Sequence, residues 1–313
     1  MRSRFAAGAL CAVALLAACD EGETATPSTF STAAPASSAP CRETPSGNDV
    51  LGTQRYLEPV FTDVTVTCDV SYGGAEDEHG EFQELTLDVY VPAGDSETDR
   101  PAVLWLTHGG FALSDKAVMP HPEYAARLAR RGYVVAVVEY RVREAEVYTY
   151  APPFSDEVLD AAEDAEHDAK AAVRWVRRSA DSLGIDADRI AVVGISAGGM
   201  TALAVNYDED DDGESGNPGV DSEVAAAVSL EGCSLDPDTI DGDDGPVLLV
   251  HSTDDEAVPY SCAQATAVAA TDAGADATLD TRTAVPPLFH GFTNHPALAI
   301  DAVVQFLYEQ IGS

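Results

Sequence analysis

Residues 194–198, Gly-Ile-Ser-Ala-Gly, set a serine between two glycines directly after the apolar run RIAVV. G-x-S-x-G marks a strand-to-helix turn too tight for side chains at its ends, which presents the serine hydroxyl as a nucleophile. That hydroxyl is weak until a base takes its proton, so the turn demands a histidine and a carboxylate to orient it. The order expected along such a chain is serine, acid, histidine, each on a loop after a strand. Here RIAVV leads to Ser196, and PVLLVHS leads into Thr253-Asp254-Asp255-Glu256-Ala257-Val258-Pro259. PPLFHGF then carries His290. A shifted frame brings residues 194–201 within one residue of the phosphate loop G-x-x-x-x-G-K-[ST]. That loop needs a lysine where Met200 stands, and the nucleotide reading fails.

Chemistry at strand ends requires a sheet. Residues 61–70 and 84–91 alternate apolar and polar side chains, as half-buried antiparallel strands do. The turn-rich stretch 71–82 reads as their hairpin connection. Beyond it AVLWLTH, YVVAVVEY, RIAVVGI, VAAAVSL and PVLLVHS are short continuous apolar runs, the mark of strands covered on both faces in a parallel sheet. Helical stretches at 123–131, 159–183, 197–205 and 262–273 separate them, with a last strand at 277–283 and a last helix at 296–311. The alternation predicts a doubly wound α/β fold, a mostly parallel sheet flanked by helices with an N-terminal antiparallel hairpin. Its site is expected at the carboxyl ends of the strands.

The ordered set, with THGGF upstream, resembles the α/β-hydrolase-fold serine esterases. It is similar to secreted carboxylesterases whose oxyanion loop begins His-Gly-Gly. The likeness runs from about residue 85 to the C-terminus through LDVYVPAG, LWLTHGGF, YAARLARRGYVVAVVEYR, DAKAAVRWVR, IDADRIAVVGISAGG and HSTDDEAVPY. It implies that Ser196 attacks an ester carbonyl and that His290 shuttles its proton. The pattern Asp-x-x-Val-Pro selects Asp255 as the orienting acid, with Asp254 its rival. His295, beside Pro296, suits a capping role better than catalysis. His108 would shape the oxyanion loop, and His251 reads as structural. Met200 and Thr201 are taken to begin the helix whose dipole favours the oxyanion.

The oxyanion donors implied are the N–H of Ala197 and those of the His-Gly-Gly loop. Relatives carry a small residue between the second glycine and the aromatic, whereas Phe111 follows Gly110 directly. Counting from His108 gives Gly110 and Phe111; counting from the aromatic gives Gly109 and Gly110. The first count is adopted. Phe111 would wall the acyl pocket or pack under the loop. Tyr148, Tyr150 and Phe154 would rim an alcohol or aryl pocket, or form a packed connection. Ester hydrolysis through an acyl-enzyme calls for no metal or organic cofactor. A prolyl-oligopeptidase-type peptidase, for which no propeller lies upstream, and a non-catalytic binding lipoprotein on the same fold are the alternatives.

Seventeen Lys and Arg against 54 Asp and Glu give a formal charge of −37 over 313 residues. Such a surface repels polyphosphate, so nucleic acid is not an expected partner. Arg2 and Arg4 precede a short apolar run ending Leu16-Ala17-Ala18-Cys19, which resembles a lipobox. Residues 1–18 are thus expected to be a lipoprotein signal, Cys19 a lipidation site and the protein's membrane contact, and residues 19–45 a flexible tether. An ordinary secretory signal is the alternative; both place the chain outside the cytoplasm, in the cell envelope or beyond. The hydrolase domain would span 46–313. Export permits disulfides, and with Cys11 and Cys19 set aside, Cys41, Cys68, Cys233 and Cys262 allow three connectivities. Cys41–Cys68 and Cys233–Cys262 are expected, the second because both cysteines follow neighbouring strands. Asp208, Asp210, Asp212 and Gly213 have the spacing of half a calcium loop, but Gly219 stands where the final acid belongs. A solvated insertion is the favoured reading.

Overall fold

The computed structural model describes residues 50–144, 150–208, 211–283 and 296–313. The signal, the tether, Cys19 and Cys41 lie outside the described residues.

Eight strands form one sheet: β1 (Val64–Glu76), β2 (Phe82–Pro92), β3 (Arg100–Leu106), β4 (Val134–Val138), β5 (Ile185–Ile195), β6 (Ala226–Leu230), β7 (Val247–Ser252) and β8 (Ala277–Arg282). Their order is β1-β2-β4-β3-β5-β6-β7-β8. β2 runs antiparallel to both β1 and β4, and every pair from β4 to β8 is parallel. Successive side chains of β3 serve two cores in turn. Ala102, Leu104 and Leu106 enter the core on one face, Val103 and Trp105 the core on the other. The continuous apolar run is therefore two interleaved core stripes. The first core packs on α2 (Asp156–Arg178), α4 (Ala197–Tyr207) and α5 (Tyr260–Ala273). The second packs on α1 (His121–Ala129) and α6 (Ile300–Leu307). No helix among the described residues is long and apolar enough to cross a membrane.

Strand order reverses at β3, which lies between β4 and β5. Connections leave in opposite directions from such a switch point and open a crevice at the carboxyl ends. The His-Gly-Gly loop follows β3 and the serine turn follows β5, so the sheet itself brings the two together.

Three elements differ most from what the sequence suggests. β1 continues to Glu76 and the hairpin turn shrinks to 77–81, where Asp77 Oδ1 accepts the N–H groups of His79 and Glu81, each at 2.9 Å. Gly73 and Gly74 are strand residues, not turn residues. A Cβ on the first would meet Ser215 O at 2.1 Å, and on the second the Phe82 ring at 2.3 Å. The helix expected over 159–183 starts earlier and breaks at Ser179 into α2 and the short α3 (Ala180–Leu183), closed by Gly184 at φ +61°. The last helix is α6 between a 3-10 turn, Pro296–Leu298, and a π turn, Tyr308–Gly312.

The acidic insertion is docked against α2 as well as solvated. Lys170 Nζ donates to the carbonyls of Asp208 and Asp211, both at 2.5 Å. Arg174 donates to those of Asp212 (2.6 Å) and Gly216 (2.9 Å). Asp210 lies outside the described residues.

Candidate active site

Ser196 joins β5 to α4 at φ +58°, ψ −123°. A side chain in that region costs about 1–3 kcal/mol and persists only where its surroundings enforce it. Here the N–H of Ser196 donates to Leu230 O on β6 at 2.8 Å, and its carbonyl takes the Met200 N–H at 2.9 Å. The helix begins at Ala197, where the stretch expected over 197–205 begins, and the strained serine is itself the cap. A Cβ on Gly194 would meet Gly198 O at 2.0 Å; one on Gly198 would meet Leu106 O and Thr107 O at 2.5 and 2.6 Å. The second glycine lets the turn lie against the end of β3. Gly199, outside the motif, is as constrained, its Cβ position 2.8 Å from Ser229 Oγ.

The loop after β3 folds back on itself. Gly109 O accepts from Ala112 and Leu113 at 3.1 and 3.0 Å, which spends those two N–H groups. Gly109, Gly110 and Phe111 have φ of +143°, +63° and +59°. Among the described residues, the N–H groups of Gly109, Gly110, Phe111 and Ala197 have no acceptor. Both countings of the loop thus keep their donors. The Phe111 ring is buried beside Tyr140 and Tyr150, packed under the loop as the sequence reading allowed.

On the loop after β7, the Asp255 side chain is 0 % exposed while Asp254 is exposed. Asp255 Oδ1 accepts the N–H groups of Ala257 and Val258 at 2.8 and 2.9 Å. His251 Nε2 lies 3.6 Å from Asp255 Oδ2, too far for a hydrogen bond, and 2.9 Å from Val258 O. A carbonyl only accepts, so the ring donates there, in keeping with a structural role. Cys233 and Cys262 stand at bonding distance, 2.11 Å between sulfurs and 5.6 Å between Cα atoms. They tie the end of β6 to the first turn of α5 and so bracket the Asp255 loop. Cys68 is disulfide-bonded, with its expected partner Cys41 outside the described residues.

His290, its rival His295, and Tyr148 lie outside the described residues. Tyr150 is 7 % exposed and Phe154 half-buried. Tyr150 is therefore a buried member of the site floor, where both its hydroxyl and its N–H find carbonyl partners. Phe111, Tyr150, Ala197, Val258, Cys233 and Cys262 share one apolar cluster, with Phe154 packed against it. The donor loop, serine turn and acid loop thus rest on a common floor.

Two buried groups escaped the sequence reading. His121 is buried and burial, with His108 nearby, holds its pKa well below the usual histidine value, so the ring is neutral. Trp105 Nε1 donates to its Nδ1 at 2.9 Å, which leaves the proton on Nε2. The approach of the His108 N–H to Nε2 at 3.3 Å is then no second hydrogen bond. Glu231, fully buried at φ +54°, follows directly on the residue that anchors Ser196. Its one sequence signal is a charge ending the run VAAAVSL. Among the described residues Glu163, His167 and Asp211 are the group whose ligand atoms lie within 4.8 Å of one another; Glu163 and Asp211 are exposed, and the trio sits outside the elements carrying Ser196 and Asp255.

Residues 87–234 match the BD-FAE family. Over 161 residues the chain is 28% identical to Lipase 2 of Diutina rugosa, covering 50% of this chain and 28% of that one. The chain spans 28% to 37% of the length of the curated relatives it matches. A truncated carbohydrate esterase from gut microbiota superposes with a TM-score of 0.63 at 20% identity, over 80% of this chain and 97% of that one. Thermogutta terrifontis esterase 2 phosphorylated by paraoxon gives 0.61 at 23%, over 80% and 95%. With the sheet described above, these likenesses show the α/β-hydrolase fold.

Proposed function

We propose that the chain is a carboxylic ester hydrolase that works through an acyl-enzyme on Ser196. The observation that carries this reading is the strained conformation of Ser196, held against β3 and β6 where the sheet switches direction. Strained residues cluster at functional sites, and at a strand-to-helix turn this strain presents a nucleophile. In this reading Ser196 Oγ attacks the ester carbonyl while His290 takes its proton and returns it to the leaving alcohol. Asp255, buried and held by two N–H groups, orients the imidazole and stabilises its cation. The N–H of Ala197, at the positive end of α4, and those of Gly110 and Phe111 receive the oxyanion. Water then repeats the cycle on the acyl-enzyme.

The relatives include a lipase, an arylacetamide deacetylase and a probable carboxylic ester hydrolase, which supports ester chemistry of this kind. Short acyl chains or aryl esters are the proposed substrates. Export and a lipid anchor on Cys19 belong to the same proposal, and paired cysteines in the domain fit an oxidising compartment.

A fluorophosphonate probe tests the reading. Covalent mass on Ser196, lost in S196A together with hydrolysis of p-nitrophenyl acetate, is the expected result. A folded wild-type protein that neither takes the label nor hydrolyses the ester overturns it.

A further inference from the structure

The sequence leaves Tyr150 either on a pocket rim or in a packed connection; in the structure it lies against the His-Gly-Gly loop and the acid loop. Its hydroxyl donates to Gly110 O at 2.5 Å. Its own N–H donates to Ala257 O at 2.9 Å. Its ring meets Phe111 edge-on, centroids 6.4 Å apart at 70°. One residue thus touches both the loop expected to supply oxyanion donors and the loop carrying Asp255. Ala257 is one of the two residues whose N–H groups hold Asp255 Oδ1.

The contact at Gly110 has a directional consequence. Gly110 O and the N–H of Phe111 belong to one peptide unit, which is planar and trans, so carbonyl and N–H point opposite ways. A hydroxyl fixed on the carbonyl therefore fixes the direction of the N–H on the other side. It also polarises the unit, since hydrogen bonds in a chain strengthen one another. Glycine at 110 is required for the approach: φ is +63°, and a Cβ would lie 2.1 Å from the Tyr150 hydroxyl. The other end of the same residue is pinned too, because Phe111 O accepts the Arg143 N–H at 3.0 Å.

We propose that Tyr150 is a positioning residue that sets the Gly110–Phe111 peptide so that the Phe111 N–H is an oxyanion donor. This rests on the hydrolase reading above and goes beyond it. It chooses between the two countings of the His-Gly-Gly loop and gives the loop's one-residue departure from its relatives a physical support. The donor acts on charge that develops as the carbonyl is attacked, so Tyr150 influences the transition state and leaves ground-state binding almost untouched.

The test is steady-state kinetics of Y150F on p-nitrophenyl acetate, beside binding of an aryl trifluoromethyl ketone. The ketone forms an oxyanion adduct on the serine. Loss of a direct oxyanion donor typically costs about 100- to 1000-fold; loss of its support is expected to cost about tenfold. We expect kcat to fall about tenfold with KM within twofold, and ketone affinity to fall by the same factor as kcat/KM. Unchanged kcat, or a loss confined to KM, overturns the proposal. Should Y150F not fold, p-fluorophenylalanine and p-aminophenylalanine at position 150 match in size and differ in having a donor. The amino residue must then be about tenfold the more active, and equal activity overturns the proposal. Labelling of wild-type Ser196 separates the two claims: without it the hydrolase reading fails whatever Y150F does, and with it a silent Y150F removes only the role of Tyr150.

Discussion

The Cys233–Cys262 pair gives a prediction whose size follows from chain geometry. The two cysteines are 29 residues apart and both are buried in the cluster under the site. Cross-linking a loop of that length removes denatured-state entropy worth about 3.6 kcal/mol at 25 °C in the chain-entropy account. For a domain of this size 1 kcal/mol moves the melting temperature by about 2–4 °C. C233A/C262A is therefore expected to melt roughly 7–14 °C lower. The paired substitution is the right perturbation, because a reductant would also open the bond at Cys68. Activity below the melting transition should respond far less. Asp255 is held by N–H groups two and three residues away, contacts internal to its own turn that survive without the bridge. We expect kcat/KM at 20 °C within about fivefold of wild type. Calorimetry and esterase assays on the same preparations measure both quantities. A melting shift below about 2 °C refutes the entropic argument, and a loss of activity of a hundredfold or more refutes the claim that the acid loop holds itself.

Two further outcomes follow from buried groups. D255N should lower kcat by about 1000- to 10,000-fold, since an amide cannot stabilise the imidazolium and can hold the wrong tautomer; D254N, at an exposed position, should stay within twofold. Equal effects of the two would remove Asp255 from its role. His121 makes stability pH-dependent in a definite sense: its folded pKa lies well below the unfolded value of about 6.5. As pH falls the unfolded chain binds the proton first, so stability is present above about pH 6.5 and is lost below it. The slope is at most about 1.4 kcal/mol per pH unit. H121Q, weaker at pH 8 for losing the Trp105 contact, should show the shallower decline in urea midpoint between pH 6.5 and 5, and parallel declines would exclude the imidazole as the cause.

What the sequence made legible divides by the range of the forces involved. The serine turn was readable because its constraints are local: Gly194 must clear Gly198, four residues on, and Ser196 must leave a strand and enter a helix at once. The parallel strands were readable because burial on both faces leaves few polar positions in the run. Gly73 and Gly74 were misplaced because glycine serves equally for turns and for close approach, and the groups they approach belong to other segments. His121 shows nothing in sequence, since its partner Trp105 sits sixteen residues earlier with loop between them. For Tyr150 the sequence left a pocket rim and a packed connection both open. Its burial depends on a carbonyl forty residues away and another on the acid loop, which only the completed sheet brings near.

The charge balance shows the same limit and resolves it. A net charge of −37 reads as a uniformly acidic surface, and several of the few cations are withdrawn from that surface. Lys116, Arg141, Lys170 and Arg174 are buried among the described residues. An unpaired cation there would be costly, so each must be met by several oxygens. Arg141 meets the buried Asp168 and the carbonyl of Glu76; Lys170 and Arg174 meet the carbonyls of the acidic insertion. That insertion has half the spacing of a calcium loop, and its described main-chain oxygens do turn toward positive charge. The charge is the ammonium of Lys170 and the guanidinium of Arg174, supplied by α2. The same helix packs beneath α4 in the core under the sheet. A fold poor in cations thus spends them as internal ties, holding the acidic loop to the layer that supports the serine turn.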